Sequence, residues 1–285
     1  LIKCIAIDMD GTLLNMEQKV SEANKQAIEH AQSKGVEVVI ATGRSYIEAR
    51  HALDEAGLKC SIISINGAVV WDESGEIVTS NPMDVEDVER ARAILDEASI
   101  YYEVYTNKGT YTYDKTVAIE TIVDLFTSAF PDVDRNYLEK RATERFELGL
   151  VHEVASYDEL FKDESVDCFK MLVFSGNHDL LGQTGNRIKQ HTSLTVSSSG
   201  QENLEITSSS AQKGIALEKF VAKRNIALSD TMAIGDSYND VSMFERVGKA
   251  VAMGNAVADI QRFCHEVTLS NHESGVAHAI EKAIK

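Results

Sequence analysis

Two acids one residue apart, Asp8 and Asp10, close the apolar run that opens in IDMDGTLL. On a strand, residues i and i+2 face the same way. At that spacing the two carboxylates stand side by side, and at ~4 Å they repel by roughly 4 kcal/mol at an effective dielectric near 20. A shared proton, a lysine or a divalent cation would offset the repulsion. Gly11 and Thr12 follow directly. Three more polar clusters sit where apolar runs end or a helix begins: Thr42-Gly43-Arg44, Lys213-Gly214, and Gly235-Asp236-Ser237-Tyr238-Asn239-Asp240. Taken singly they are bland. Asp-x-Asp-Gly reads as a turn or a calcium-type loop, Thr-Gly-Arg as a strand-to-helix turn, and GDSYND as a loop and helix cap. Their order and their common placement at strand ends point to one site.

The elements that must position them alternate strand and helix. KCIAID is a short apolar run, read as a buried strand. SEANKQAIEHAQSKG starts on a Ser cap and stops at Gly35, VEVVIATGR is a second strand, and SYIEARHALDEAG is a helix stopped by Gly57. CSIISING is a third strand, and WDESGEIV turns a hairpin between AVV and EIVTS. Repeated β–α–β units predict a parallel sheet with right-handed crossovers. In such a sheet the carboxyl ends of the strands share one edge, where ligands bind.

The pattern changes near Pro82. DVEDVERARAILDEAS and TVAIETIVDLFTSAF read as helices around YYEVYT and GTYTYD, a pair of antiparallel strands whose tyrosines, Tyr101, Tyr102, Tyr105, Tyr111 and Tyr113, predict a half-exposed sheet face. Residues 131–150 give no clear pattern. DCFKMLVFSG and SLTVSSS are strands around a helix in HDLLGQTGNRIKQH. The opening style then returns: LEITSSS leads into helix KGIALEKFVAKRNI, followed by strand TMAIGD, helix DVSMFERVG, strand KAVAMGN and helix GVAHAIEKAI. The expected fold class is α/β: a doubly wound, Rossmann-like parallel-sheet core, residues 1–81 and 209–285, with an inserted α+β cap over residues 82–208.

IDMDGTLL, ATGR, KG and GDSYNDVSMF, in that order, resemble the haloacid dehalogenase superfamily. VAMGNA, SGVAHAI and NGA at Asn66–Ala68 resemble its Cof-type, C2-capped phosphatases, although Gln212 and Ser274 stand where that pattern often has other residues. The cap matches in position and class only. The resemblance implies Asp8 as nucleophile, forming an aspartyl-phosphate that is readily hydrolysed. It implies Asp10 as the acid that protonates the leaving oxygen and then activates water. Lys213 would neutralise charge between nucleophile and phosphoryl oxygens. Substrate contacts fall to Gly11, Thr42, Gly43, Arg44, Asn66 and Asn239. Metal ligation falls to Asp8, the Asp10 backbone carbonyl, Asp236 and Asp240. Chemistry agrees: four acids and a phosphate share one edge, while Lys213 and Arg44 bring at most two positive charges, so a hard divalent cation, Mg²⁺, fits the remainder. The cap is expected to close over the core and choose the substrate.

Composition narrows the class. The chain has 285 residues with 28 basic and 45 acidic side chains, a net charge of −17. Phosphate-backbone binding needs clustered Lys and Arg, so nucleic acid is not an expected partner. No apolar run approaches the ~18 residues of a membrane span. The N-terminus lacks the basic region and cleavage site of a secretory signal, and Leu1 is read as a start that has lost its initiator Met. Cys4, Cys60, Cys168 and Cys264 form no CxxC pair and read as reduced thiols of a cytoplasmic protein. The expectation is an Mg²⁺-dependent phosphatase of small phosphorylated metabolites, with sugar phosphates the expected substrates, acting as a monomer or weak homodimer. The alternative is a phosphomutase, which would need room to turn a bisphosphorylated intermediate. A non-catalytic phosphosugar sensor ranks below both.

Overall fold

A computed structural model describes residues 1–129, 133–198 and 201–284. Phe130 and Ser199, expected to close a helix and a strand, lie outside the described residues. The chain divides into two compact units, Leu1–Asn81 with Ser210–Lys285, and Pro82–Ser209.

The first unit opens with β1 (Cys4–Ile7), α1 (Glu22–Ser33), β2 (Glu37–Ala41), α2 (Tyr46–Ala56) and β3 (Ser61–Ser64), then the hairpin β4 (Val69–Trp71) and β5 (Ile77–Ser80). Local chemistry sets these bounds. Ser21 accepts from Asn24 N to start α1. Ser45 and Glu48 form a reciprocal capping box at α2, and Gly57 ends it in the left-handed region at φ +71°.

The second unit runs α3 (Val85–Glu97), β6 (Tyr101–Thr106), β7 (Gly109–Thr112), α4 (Lys115–Ala129), α5 (Arg135–Glu147), β8 (His152–Glu153), α6 (Tyr157–Phe161), β9 (Cys168–Phe174), α7 (His178–His191), β10 (Thr195–Ser197) and β11 (Asn203–Thr207). Its sheet order is β10-β11-β9-β6-β7-β8. One face buries Tyr102, Val104, Met171, Val173 and Ile206 with Val88, Ala91 and Leu95 of α3 and Leu181 and Ile188 of α7. Two details differ from the sequence reading. LEITSSS, grouped there with the returning pattern although most of it falls inside the 82–208 bounds, contributes β11, which pairs antiparallel with β9 in this sheet. Tyr101, Tyr102 and Tyr105 are buried, not half-exposed, with only Tyr113 standing out at 41% exposure among the five. The face opposite the apolar core is covered too: Arg145 of α5 donates to both oxygens of the fully buried Glu103 at 2.9 Å each.

The chain then returns to the first unit with α8 (Lys213–Ala222), β12 (Thr231–Gly235), α9 (Val241–Phe244), β13 (Lys249–Ala252), α10 (Ala258–Gln261), β14 (Glu266–Val267) and α11 (Gly275–Ala283). Its sheet order is β14-β13-β12-β1-β2-β3-β4-β5, parallel from β14 to β3 and antiparallel in the hairpin. Both faces of its central strands are packed, which is why β1, β2, β12 and β13 are mostly apolar. Ile5, Ile7, Val38, Ile40, Met232 and Ile234 share one core with residues of α1, α2 and α11. Cys4, Ala6, Val39, Ala41, Ala233 and Ala250 share the other with Leu217 and Phe220 of α8. Each buried isoleucine stabilises the fold by roughly 1.5–3 kcal/mol relative to exposure. Strand order reverses beside β1: the chain steps outward through β2 and β3, then returns on the far side at β12. In open α/β sheets ligands bind at such a switch point, here the carboxyl ends of β1 and β12. The cysteines are unpaired, and burial pushes the Cys4 and Cys60 thiols up to about 12. No helix among the described residues is long and apolar enough to cross a membrane.

Candidate active site

Asp8 follows β1 and Asp236 follows β12, so the two acids emerge on either side of the switch point. Lys213, the first residue of α8, is wholly buried beside Asp8. Its Nζ donates to Asp8 Oδ1 at 2.6 Å and to Asp240 Oδ1 at 2.7 Å. The other Asp240 oxygen accepts from the backbone N–H groups of Asp236 and Ser237 at 3.0 and 3.1 Å. Asp240 thus ties the lysine to the turn that carries Asp236. Carboxylate oxygens of Asp8, Asp236 and Asp240 all lie within 4.8 Å of one another.

The electrostatics follow from burial. Desolvation first, then the Asp240 charge, pushes the Asp8 carboxyl well above the usual carboxylate range despite Lys213. Asp236 is raised for the same two reasons. Burial alone would lower Lys213, but Asp240 and Asp8 outweigh it and hold the ammonium charged. One lysine does not neutralise three clustered acids, so the site is short of positive charge.

Glycines let these pieces approach. Gly11 has φ +75°, and a Cβ there would fall 2.4 Å from Asp236 Oδ2. Gly214 lies so close to the first residues of α9 that a Cβ would meet the Ser242 carbonyl at 1.8 Å. A side chain at Gly214 has no room without moving the start of α8 away from α9.

Asp10 departs from the strand-based expectation. β1 ends at Ile7, and residues 9–13 form a wide turn in which Leu13 N donates to the Asp8 carbonyl and Leu14 N to that of Met9. The i, i+2 rule therefore does not apply. The Asp10 carboxylate, 52% exposed, makes a two-pronged ion pair with Arg44 at 2.9 and 2.6 Å. Asp8 is instead paired with Lys213 and neighbours two acids distant in sequence.

Thr42, Gly43 and Arg44 follow β2, and Thr42 Oγ1 accepts from Arg44 N at 3.1 Å. Asn66 Oδ1 accepts from Asn239 Nδ2 at 3.2 Å, and a Cβ on Gly43 would lie 3.2 Å from that same Asn66 oxygen. Asn66 belongs to a left-handed run, Ile65, Asn66 and Gly67, with φ of +50°, +53° and +101°. For a β-branched residue this is a true outlier, costing ~1–2 kcal/mol. The run is held by Ile65 N donating to Arg44 O and Asn66 N to Thr42 O, both at 2.9 Å. Gly67 presses on the Gln212 carbonyl, where a Cβ would lie at 2.4 Å.

Two further participants were not among the site residues expected from the sequence. Thr12 donates to Asp236 Oδ1 at 3.1 Å. Gln18 Oε1 accepts from Arg44. Thr12 sits inside IDMDGTLL and could have been proposed from its position beside Gly11; Gln18 lies in a polar stretch that has no periodicity to place it.

Comparison with known proteins agrees in extent and kind. Residues 5–280 match the pattern of the haloacid dehalogenase-like hydrolases. Phosphatase YwpJ of Bacillus subtilis is 38% identical over 98% of this chain and 99% of its own. The 5-amino-6-(5-phospho-D-ribitylamino)uracil phosphatase YwtE of the same organism is 35% identical over 99% and 98%. A solved haloacid dehalogenase-like hydrolase from B. subtilis superposes with a TM-score of 0.86 at 38% identity, covering 98% of this chain and 99% of that one.

Proposed function

The chain belongs to the haloacid dehalogenase-like hydrolases and is a phosphatase, and from that premise we propose that it hydrolyses small phosphorylated metabolites, sugar phosphates foremost, through a phosphoryl group carried on Asp8. One observation carries the reading: a wholly buried lysine bridges Asp8 and Asp240 while Asp236 lies within 4.8 Å. An ammonium there opposes the charge that gathers as an anionic phosphate meets an anionic nucleophile.

In the proposed reaction an Asp8 oxygen attacks phosphorus and the bond to the leaving alkoxide breaks. The alkoxide takes the Asp10 proton. Asp10 then draws a proton from a water that attacks the aspartyl-phosphate, releasing inorganic phosphate and restoring Asp8. Breaking the Arg44 pair, with a proton taken up from solvent, frees Asp10 for this work. The Thr42 hydroxyl and the amides near Gly11 and Gly43 would hold phosphoryl oxygens, with Arg44, Asn66 and Asn239 lining the substrate side.

The donor set suits a hard divalent cation, since the carboxylates converge with too few positive charges among them. Asp8, Asp236 and the Asp10 backbone carbonyl would hold Mg²⁺. Both Asp240 oxygens already accept hydrogen bonds, so we assign it to positioning Lys213 and the 235–237 turn. Bound Mg²⁺ would supply the positive charge that lets phosphate enter an acidic crevice. The 5-phosphoribityl group in the name of the relative YwtE is a polyol phosphate and falls in the substrate class proposed. Four unpaired cysteines suit a reducing cytoplasm.

The test is phosphate release from a broad panel of phosphorylated metabolites and p-nitrophenyl phosphate with Mg²⁺ present. Turnover is expected without any bisphosphate activator, which separates a phosphatase from a mutase. Chelation should stop it and Mg²⁺ restore it. Calcium should serve poorly, because its larger and looser shell can take both Asp8 oxygens. Absence of release from every member, or full activity with calcium, would contradict the proposal.

A further inference from the structure

Three carbonyl oxygens on the turn that carries Asp8 and Asp10 each accept from a different asparagine. Asn255 Nδ2 donates to Gly11 O at 2.8 Å, Asn24 Nδ2 to Leu13 O at 3.2 Å, and Asn271 Nδ2 to Leu14 O at 2.9 Å. The turn's own i+5 hydrogen bonds use the carbonyls of Asp8 and Met9. Left-handed Gly11 takes the following carbonyls off that ladder, and Leu13 and Leu14 are fully buried. Buried carbonyls need a donor.

Two of the three amides are oriented from their far side. Asn24 Oδ1 accepts from Ala277 N at 3.0 Å, in the first turn of α11. Asn255 Oδ1 accepts from Asn271 N at 2.9 Å. Each therefore sits between an N–H and a C=O, a place that only a carboxamide fills with both bonds made. An aspartate of the same shape would turn an oxygen toward the carbonyl. The hydroxyls of Ser21 and Ser274, 2.8 Å apart, join the same two segments. Asn24 comes from α1, Asn255 from the loop after β13, and Asn271 from the segment before α11, so three separate stretches converge on seven residues.

We propose that Asn24, Asn255 and Asn271 are positioning residues. They fix the turn from residue 8 to residue 14, and with it the direction in which Asp8 and Asp10 project, using the C-terminal segment 270–277 as the anchor. The proposal rests on the phosphatase reading only for its kinetic arm. Misplacing a reacting group by ~1 Å costs on the order of 10²-fold in rate, so a loosened turn shows in kcat more than in KM.

Asn255 is exposed, and Asn255→Asp and Asn255→Ala are made in the full chain. With saturating Mg²⁺ and p-nitrophenyl phosphate, kcat is expected to fall about tenfold or more in Asn255→Asp, at least as far as in Asn255→Ala. KM and the unfolding midpoint should stay near wild type. Amide hydrogen exchange over residues 8–14 should quicken in both variants, a readout that needs no turnover. Asn24→Asp provides the same comparison at a buried member. Wild-type kcat and unchanged exchange in Asn255→Asp would overturn the proposal, as would a loss in Asn255→Ala that the isosteric aspartate restores, since shape alone would then suffice. A wild-type chain that releases no phosphate would contradict the phosphatase reading instead, and the exchange measurement would still decide this one.

Discussion

Lys213 is the residue on which the site's electrostatics turn. It is wholly buried, and each of its contacts is to an acid that is itself nearly inaccessible. Removing one partner of a buried ionic cluster costs ~3–5 kcal/mol when the remaining charge stays uncompensated. Lys213→Met is therefore expected to lower the unfolding midpoint and to reduce kcat by ~10² or more. Lys213→Arg should not rescue it, because a planar fork does not fit a space shaped for a compact ammonium between two carboxylates. Wild-type kcat in Lys213→Met, measured as phosphate release, would contradict the role. Legibility at this scale was uneven. Asp8 and Asp236 end apolar runs, so their pairing at a sheet edge follows from periodicity. Lys213 did not announce itself, since Lys-Gly at the start of a helix has no specific signal apart from the other motifs. Asp10 was placed beside Asp8 by strand geometry, but a turn closed by i+5 hydrogen bonds replaces the strand one residue after Ile7.

Among the elements, the left-handed run Ile65–Gly67 has the most to do. Its amides bond the Thr42 and Arg44 carbonyls, and Gly67 abuts the Gln212 carbonyl just ahead of Lys213. Strain at Ile65 is tolerated because packing and these bonds over-determine the backbone. Gly67→Ala would add a Cβ 2.4 Å from Gln212 O at a φ of +101°. We expect it to displace the start of α8 and to cost ~10-fold or more in kcat/KM; kinetics equal to wild type would refute this. The motif NGA was noticed in the sequence, but left-handed backbone at Ile65 runs against the preference of a β-branched residue and could not have been read from it.

Helix α3 offers a prediction in pH. The Ser193 hydroxyl, at 2.6 Å, chiefly holds Asp87 below the usual carboxylate range, helped by Ser193 N and Arg90. The folded value lies below the unfolded one of ~3.9, so the stabilisation is complete above that pH and is lost as pH falls through the folded value. Hydrogen bonds to a charged group contribute about 2 kcal/mol. Asp87→Asn should be less stable by about that amount at pH 7, as read by denaturant melts, with the gap closing below pH ~4. A gap that stays constant with pH would contradict the assignment.

Across the whole molecule, the fold class was legible because the β–α–β alternation is written in short apolar runs with Ser caps and Gly stops. Ser45 with Glu48, and Gly57, behave as their types require. The second unit was less legible. Residues 135–147 form α5 although their apolar positions are few, because Asp134 caps the helix and Arg145 reaches the buried Glu103. Asn255 lies within VAMGNA, but its bond to the Gly11 carbonyl could not be read from that run, and Asn24 and Asn271 left no trace, since an amide that serves a distant carbonyl has no local pattern. What unites the molecule's chemistry is that residues 8, 213, 236 and 240, scattered over most of the chain, are brought together by strand order at the switch beside β1. The most direct test of the central claim is phosphate release by Asp8→Asn, a nearly isosteric change, measured with Mg²⁺ beside wild type at matched far-ultraviolet circular dichroism and unfolding midpoint. A fall of at least ~10³-fold is expected when a nucleophile is removed; activity within about tenfold of wild type would show that Asp8 does not carry the phosphoryl group.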